Sequence, residues 1–90
     1  MTTQHVKKIT RRLKLIEGQV RGLQRMVQER KYCFDILRQA SATRQALVAA
    51  EEAILLNHLQ THIVPQIRQR KVKTATQELM RIYSLTRKAS

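Results

Sequence analysis

One cysteine and two histidines carry the chemistry open to this chain. His58 and His62 stand four residues apart in Leu55-Leu56-Asn57-His58-Leu59-Gln60-Thr61-His62-Ile63, a stretch that otherwise reads as continuous helix. On an α-helix, positions i and i+4 share a face one turn apart, so both imidazoles can point at a single object. A metal ion is such an object. Cys33 is the sole cysteine, so it forms no disulfide within the chain and is expected as a reduced thiol. If Cys33 opens the helix that carries the histidines, His58 lies 25 residues further on, which is about 37 Å of helix. The thiol and imidazoles of one chain then cannot meet. Two copies packed antiparallel bring the start of one helix beside the end of the other. A site of Cys33 from one protomer with His58 and His62 from its partner then forms twice per dimer.

One thiolate and two neutral imidazoles make a soft-to-borderline donor set. It suits Cu(I) in trigonal coordination and, with added ligands, takes Zn(II), Ni(II) or Co(II); hard cations such as Mg(II) are disfavoured. The plain alternative is a pair of surface histidines unrelated to a buried cysteine. No Ser/His/Asp set, paired-carboxylate site or Gly-rich phosphate loop is visible, and a Cys33–His58 nucleophile has no third residue to orient it. An enzyme is not expected.

Long helices must position these residues. The chain has 90 residues with two glycines, one proline, 3% aromatic residues and no Trp. Turn chemistry is scarce, and the core must come from Leu, Ile, Val, Ala and Met. One small domain of this kind, 1–90, needs a partner copy to complete its core. From about Lys7 to Glu29 apolar residues fall at Ile9, Leu13, Ile16, Val20, Leu23 and Val27, the seam of a helix packed in coiled-coil style. Thr2 or Thr3 is placed to cap its start. Gly18 and Gly22, inside the pattern, suggest the close approach of another backbone. A turn at Glu29-Arg30-Lys31-Tyr32 leads to a second helix from about Cys33 to beyond His62, striped by Ile36, Ala40, Thr43, Leu47, Ala50 and Ile54. Val64-Pro65 is expected to kink or end it. A basic linker, Arg68 to Lys73, precedes a third helix from about Thr74 to Leu85 with Ala75, Leu79, Ile82 and Leu85 on one face. The tail, Thr86 to Ser90, is expected to fray. No strand pattern occurs, so the fold class is all-α.

Eighteen Lys and Arg against six Asp and Glu give a net charge of +12. Such an excess suggests a polyanionic partner. Nucleic acid is favoured over membrane, because no basic amphipathic segment carries Trp or Phe to insert into lipid. Lys7, Lys8, Arg11, Arg12, Lys14, Arg21 and Arg25 lie off the first helix's seam with only Glu17 interleaved, which points to a phosphate-facing surface. Arg44, among small or neutral residues on the second helix, would be costly to bury and is assigned to the same face. No apolar run approaches the roughly 20 residues of a membrane span. The start, Met1 to Lys7, has no apolar signal core, so a cytoplasmic protein is expected.

Three segments together resemble the copper-sensing operon repressor (CsoR) family, with its nickel/cobalt-sensing RcnR and formaldehyde-sensing FrmR relatives. They are Arg12-Leu13-Lys14-Leu15-Ile16-Glu17-Gly18-Gln19-Val20, Tyr32-Cys33, and Asn57-His58-Leu59-Gln60-Thr61-His62. The resemblance covers nearly the whole chain. It implies a three-helix protomer without a helix-turn-helix, an antiparallel four-helix-bundle dimer and a tetramer of two dimers. It further implies a repressor that binds operator DNA and is released by its effector, turning on an efflux or detoxification operon. Cys33, His58 and His62 occupy the effector-ligand positions. His62 is a departure, since many copper sensors carry cysteine there. Tyr32 and Glu78 match the tyrosine and glutamate behind the ligands of copper sensors, and Glu78 would accept the free ring N–H of His58 and orient it. Arg12 and Lys14 match the pattern for DNA contact. Nickel or cobalt sensing would need an N-terminal ligand, for which His5 is the sole candidate, read here as a disordered surface residue. Formaldehyde sensing leans on an N-terminal proline, where Thr2 stands. A rival of another class is a nonspecific basic DNA-binding protein with incidental histidines.

Overall fold

Thr2 starts the first helix by capping it. Its backbone is extended, and its hydroxyl accepts from the His5 N–H at 3.2 Å, satisfying a donor that the helix itself leaves open. The computed structural model describes residues 1–89, with side chains to residue 87, and Ser90, part of the expected frayed tail, lies outside the described residues. Helix α1 spans Thr3–Gln28, starting earlier than its apolar pattern because the Thr2 cap, rather than the first buried residue, sets its boundary. It closes on Arg30, whose φ of 56° is left-handed. The Arg30 N–H donates to the Val27 carbonyl and the Lys31 N–H to the Met26 carbonyl, both at 3.0 Å. That nested pair is a Schellman end, with arginine where glycine is usual.

The described residues form four α-helices and one π-helical turn, and they contain no strand. They divide into two compact units, Met1–Leu55 and Leu56–Ser90. In the first unit the buried residues are Ile9 and Ile16 on α1, and Thr43 and Ala50 on α2, which spans Cys33–His58. Each pair is seven residues apart. Thr43 sits in the apolar line because its hydroxyl donates to the Gln39 carbonyl at 3.0 Å, satisfying itself within the helix. Only alternate members of the predicted α1 seam are covered. Leu13, Val20 and Val27 are 42%, 43% and 59% exposed, and Val6, seven residues before Leu13, is 48% exposed. Nothing lies within 4 Å of a Cβ built on Gly18 or Gly22. Among the described residues the expected close backbone approach is therefore not made.

The second helix does not run unbroken through Pro65. It widens into a π turn, Leu59–Ile63, and resumes as α3, Val64–Arg68. In the wide turn the Val64 N–H reaches back five residues to the Leu59 carbonyl. The widening falls just ahead of Pro65, which has no N–H and whose ring would crowd the carbonyl four residues earlier. The chain stays helical by changing register. Helix α3 ends as α1 does: Arg70 has φ 63°, its N–H donates to the Ile67 carbonyl at 3.0 Å, and the Lys71 N–H to the Gln66 carbonyl at 2.8 Å. The expected basic linker shrinks to this turn, and α4 runs Val72–Ala89, two residues earlier and four later than predicted. Lysines and arginines read as linker by their charge extend the helix by their propensity. Within the second unit α3 packs on the π turn and on α4, and Asn57, Ile63 and Ala75 are buried.

Candidate metal centre

The register change takes in His62 and starts just after His58. His58 closes α2 and His62 lies in the π turn. Their rings stack with centroids 4.8 Å apart and planes 18° from parallel, so the paired placement expected from the i, i+4 spacing is present.

Glu78, on α4, brings its Oε1 to 3.3 Å from His58 Nε2, with both side chains about one-third exposed. The Nε2 atom itself is buried and the approach is off the direction of a hydrogen bond, so the contact is an electrostatic one. The carboxylate's other oxygen, Oε2, is 3.7 Å from Arg81 Nη1 on the next turn of α4. His58 Nδ1 makes no hydrogen bond among the described residues and is the nitrogen left for a ligand. Glu78 thus stands within ion-pair distance of His58, while the expected hydrogen bond from the ring N–H is not made in this geometry.

His62 is held from the other side. The Thr61 hydroxyl donates to the Asn57 carbonyl at 2.8 Å and lies 2.9 Å from His62 Nδ1. Nothing in the sequence patterns signals Thr61. Its role depends on a side-chain bond across one turn, which neither hydropathy nor charge reports.

Cys33 is the first residue of α2 and its thiol is free and exposed. Tyr32, just before it, is 73% exposed, and its carbonyl accepts the first helical N–H groups, from Asp35 at 3.0 Å and Ile36 at 3.2 Å. Among the described residues no three His, Cys, Asp or Glu side chains of one chain gather closely enough to hold a metal ion. The single chain supplies an imidazole pair and a separate thiol. His5, read from sequence as disordered, sits in the first turn of α1 with Nδ1 2.7 Å from the Thr2 hydroxyl.

The basic residues form a second feature. Lys14 and Arg44 are exposed and Arg12 is half-buried. None of the three meets a carboxylate among the described residues, whereas Arg21 pairs with Glu17 at 3.0 Å and Arg38 with Asp35 at 3.4 Å. Lys7, Arg11 and Lys14 line one open groove with Val6 and Thr10. Unneutralised cations are what contact with phosphate needs.

A family model described as metal-sensitive transcriptional repressor matches residues 5–84. The copper-sensing transcriptional repressor CsoR of Bacillus subtilis is 40% identical over 75 residues, 83% of this chain and 74% of that protein. The copper-sensing transcriptional repressor RicR of Mycobacterium tuberculosis is 44% identical over 61 residues, 68% of this chain and 59% of that protein. Among solved structures, the copper-sensing repressor CsoR with Cu(I) from Geobacillus thermodenitrificans superposes with a TM-score of 0.88 at 37% identity. That match covers 96% of this chain and 90% of the other.

Proposed function

The chain belongs to the metal-sensitive transcriptional repressors, and from that premise we propose that it is a cytoplasmic, Cu(I)-responsive repressor of an efflux or detoxification operon. As a repressor it is a regulator and not an enzyme. In this reading the metal-free protein holds operator DNA and lets go when Cu(I) is bound by Cys33 of one protomer with His58 and His62 of its partner. The observation that carries it is the stacked pair, His58 and His62, with His58 tied to α4 by Glu78. Relatives named for copper sensing support the choice of metal.

The donors fit Cu(I). His58 turns its buried Nε2 to Glu78 and keeps Nδ1 free, and with a thiolate and a second imidazole this makes a soft three-donor set. Bound Cu(I) would supply ligand bonds joining two protomers at one point. The chain's own part is the coupling. A change in the set of the His58 ring is felt by Glu78, and through it by α4. Reciprocity then requires that DNA weaken Cu(I) binding by the same factor.

Oligomers are part of the reading. Val6, Leu13, Val20 and Val27 on α1, and Leu47 and Ile54 on α2, are exposed apolar residues at seven-residue spacing. A second copy covering them would complete the bundle and carry Cys33 to the histidines, and two such dimers make the tetramer. Arg12, Lys14 and Arg44 would meet phosphates, giving strongly salt-dependent binding by backbone and shape. Among the described residues no helix is long and apolar enough to cross a membrane.

The test is anaerobic titration of the operator complex with Cu(I), Ni(II), Co(II) and Zn(II), read by fluorescence anisotropy. Cu(I) is expected to release the DNA at the lowest free concentration. Cys33→Ala should keep metal-free DNA binding and lose the release. Release from that variant at wild-type Cu(I) levels would overturn the reading.

A further inference from the structure

The geometry points to Thr61 as a positioning residue that fixes His62 as its Nδ1–H tautomer, so that this imidazole offers a ligand through Nε2 while His58 offers Nδ1. The inference rests on the Cu(I) reading for the metal but not for the tautomer. A threonine hydroxyl has one proton. At Thr61 that proton is committed, because the hydroxyl lies 2.8 Å from the Asn57 carbonyl oxygen, which can only accept. The same hydroxyl is 2.9 Å from His62 Nδ1, and with its proton spent it can only accept there. His62 Nδ1 must therefore carry the hydrogen. A neutral imidazole has one N–H, so Nε2 is left with its lone pair free.

The neighbouring ring is set the opposite way. Glu78 Oε1 stands 3.3 Å from His58 Nε2, and a carboxylate favours the ring hydrogen on the nitrogen nearest it. His58 thus keeps its hydrogen on Nε2 and its lone pair on Nδ1. Two stacked imidazoles four residues apart present different nitrogens because different neighbours hold them. The bond from the Thr61 hydroxyl to the carbonyl four residues back is the one Thr43 makes within α2, and in the π turn it sets that hydroxyl beside His62. A free histidine prefers the Nε2–H tautomer, so His62 needs an acceptor at Nδ1 to present Nε2.

Long-range 1H–15N correlation spectra of the metal-free protein, at a pH where the rings are neutral, read the tautomers directly. The Nδ1–H pattern is expected for His62 and the Nε2–H pattern for His58. Thr61→Val keeps the β-branch and removes the acceptor, so His62 should move to predominantly Nε2–H. Thr61→Ser should restore the wild-type pattern. Anaerobic competition with a Cu(I) chelator should then show a loss of about tenfold in affinity for the valine variant, the low end for a residue that orients a metal ligand. The serine variant should show little loss. In a His62→Cys background, whose ligand has no tautomer, Thr61→Val should change nothing.

An Nε2–H pattern for His62 in the wild-type spectrum overturns the inference even if no variant folds, and so does an equal loss in the His62→Cys background. The Nδ1–H pattern in a protein whose DNA complex ignores Cu(I) would instead leave the tautomer standing and overturn the functional reading.

Discussion

Helix α1 and the stretch from α2 to α3 are both long helical segments, yet they are built to opposite standards of regularity. Helix α1 holds one register from Thr3 to Gln28, exposes unpaired cations and keeps half its apolar seam uncovered. The second stretch breaks register once, at Leu59–Ile63, with His58 just before the break and His62 inside it. A uniform rod suits a surface that meets a repeating polyanion, because phosphate contacts need charge at steady spacing and little more. In the proposed reading, a ligand site needs particular nitrogens aimed by particular neighbours, a part that falls to one glutamate and one threonine. If this contrast is right, substitutions in the two regions should change different quantities.

The largest separation is expected on the basic side. Arg12→Ala with Lys14→Ala should weaken operator binding strongly and make the plot of log affinity against log salt shallower by about two, roughly one per lost phosphate contact. Cu(I) affinity of the metal-free protein, measured by chelator competition, should stay as it was. An unchanged salt slope would remove these residues from the DNA interface. A changed Cu(I) affinity would show that the two regions are not separable.

Glu78→Ala should do the reverse. Metal-free DNA binding should persist, Cu(I) affinity should fall by about 10–100-fold, as for other residues that hold a metal-bound histidine, and coupling between the sites should shrink. A coupling of about 1–3 kcal/mol is usual for such systems, and the variant should lose most of it. Operator affinities with and without saturating Cu(I) measure this directly. Full coupling in the variant would mean that α4 is not the route. The Glu78–Arg81 pair, 3.7 Å apart with Arg81 largely exposed, adds little stability of its own, so a large fall in Tm would point to a structural role instead.

The same contrast explains what could be read in advance. Helix α1 was legible because its 4–3 apolar spacing is unbroken. The thiol and the histidine pair are legible as types at a spacing and Glu78 through the family resemblance, and the structure brings His58, His62 and Glu78 together. The π turn was not, since a shift of one residue scarcely alters hydropathy and turns on one missing N–H at Pro65. The true start of α4 was hidden because Lys71 and Lys73 count equally as linker charge and as helix formers. Thr61 was hidden because a hydroxyl that bonds within its own turn leaves no pattern at all. His5 looked like a loose terminal residue until Thr2 was seen to cap the helix beneath it.

The smallest effect concerns the matched ends of the two regions. Both α1 and α3 stop on an arginine in the left-handed conformation, Arg30 and Arg70, followed by a lysine. A side chain in that conformation costs roughly 1–2 kcal/mol, which glycine avoids. Glycine gives back about 0.4–1 kcal/mol through the freedom of the unfolded chain. The arginine also sets positive charge against a helix C-terminus, a stabilisation of about 0.3–1 kcal/mol. These terms nearly cancel. Arg30→Gly should therefore raise Tm by only about 1 °C at fixed protein concentration, from a net gain of about 0.2 kcal/mol. A drop in Tm would show that the charge outweighs the backbone strain at this turn. A rise of 8 °C or more would show the reverse, that the arginine is held against a substantial cost and is there for something other than stability.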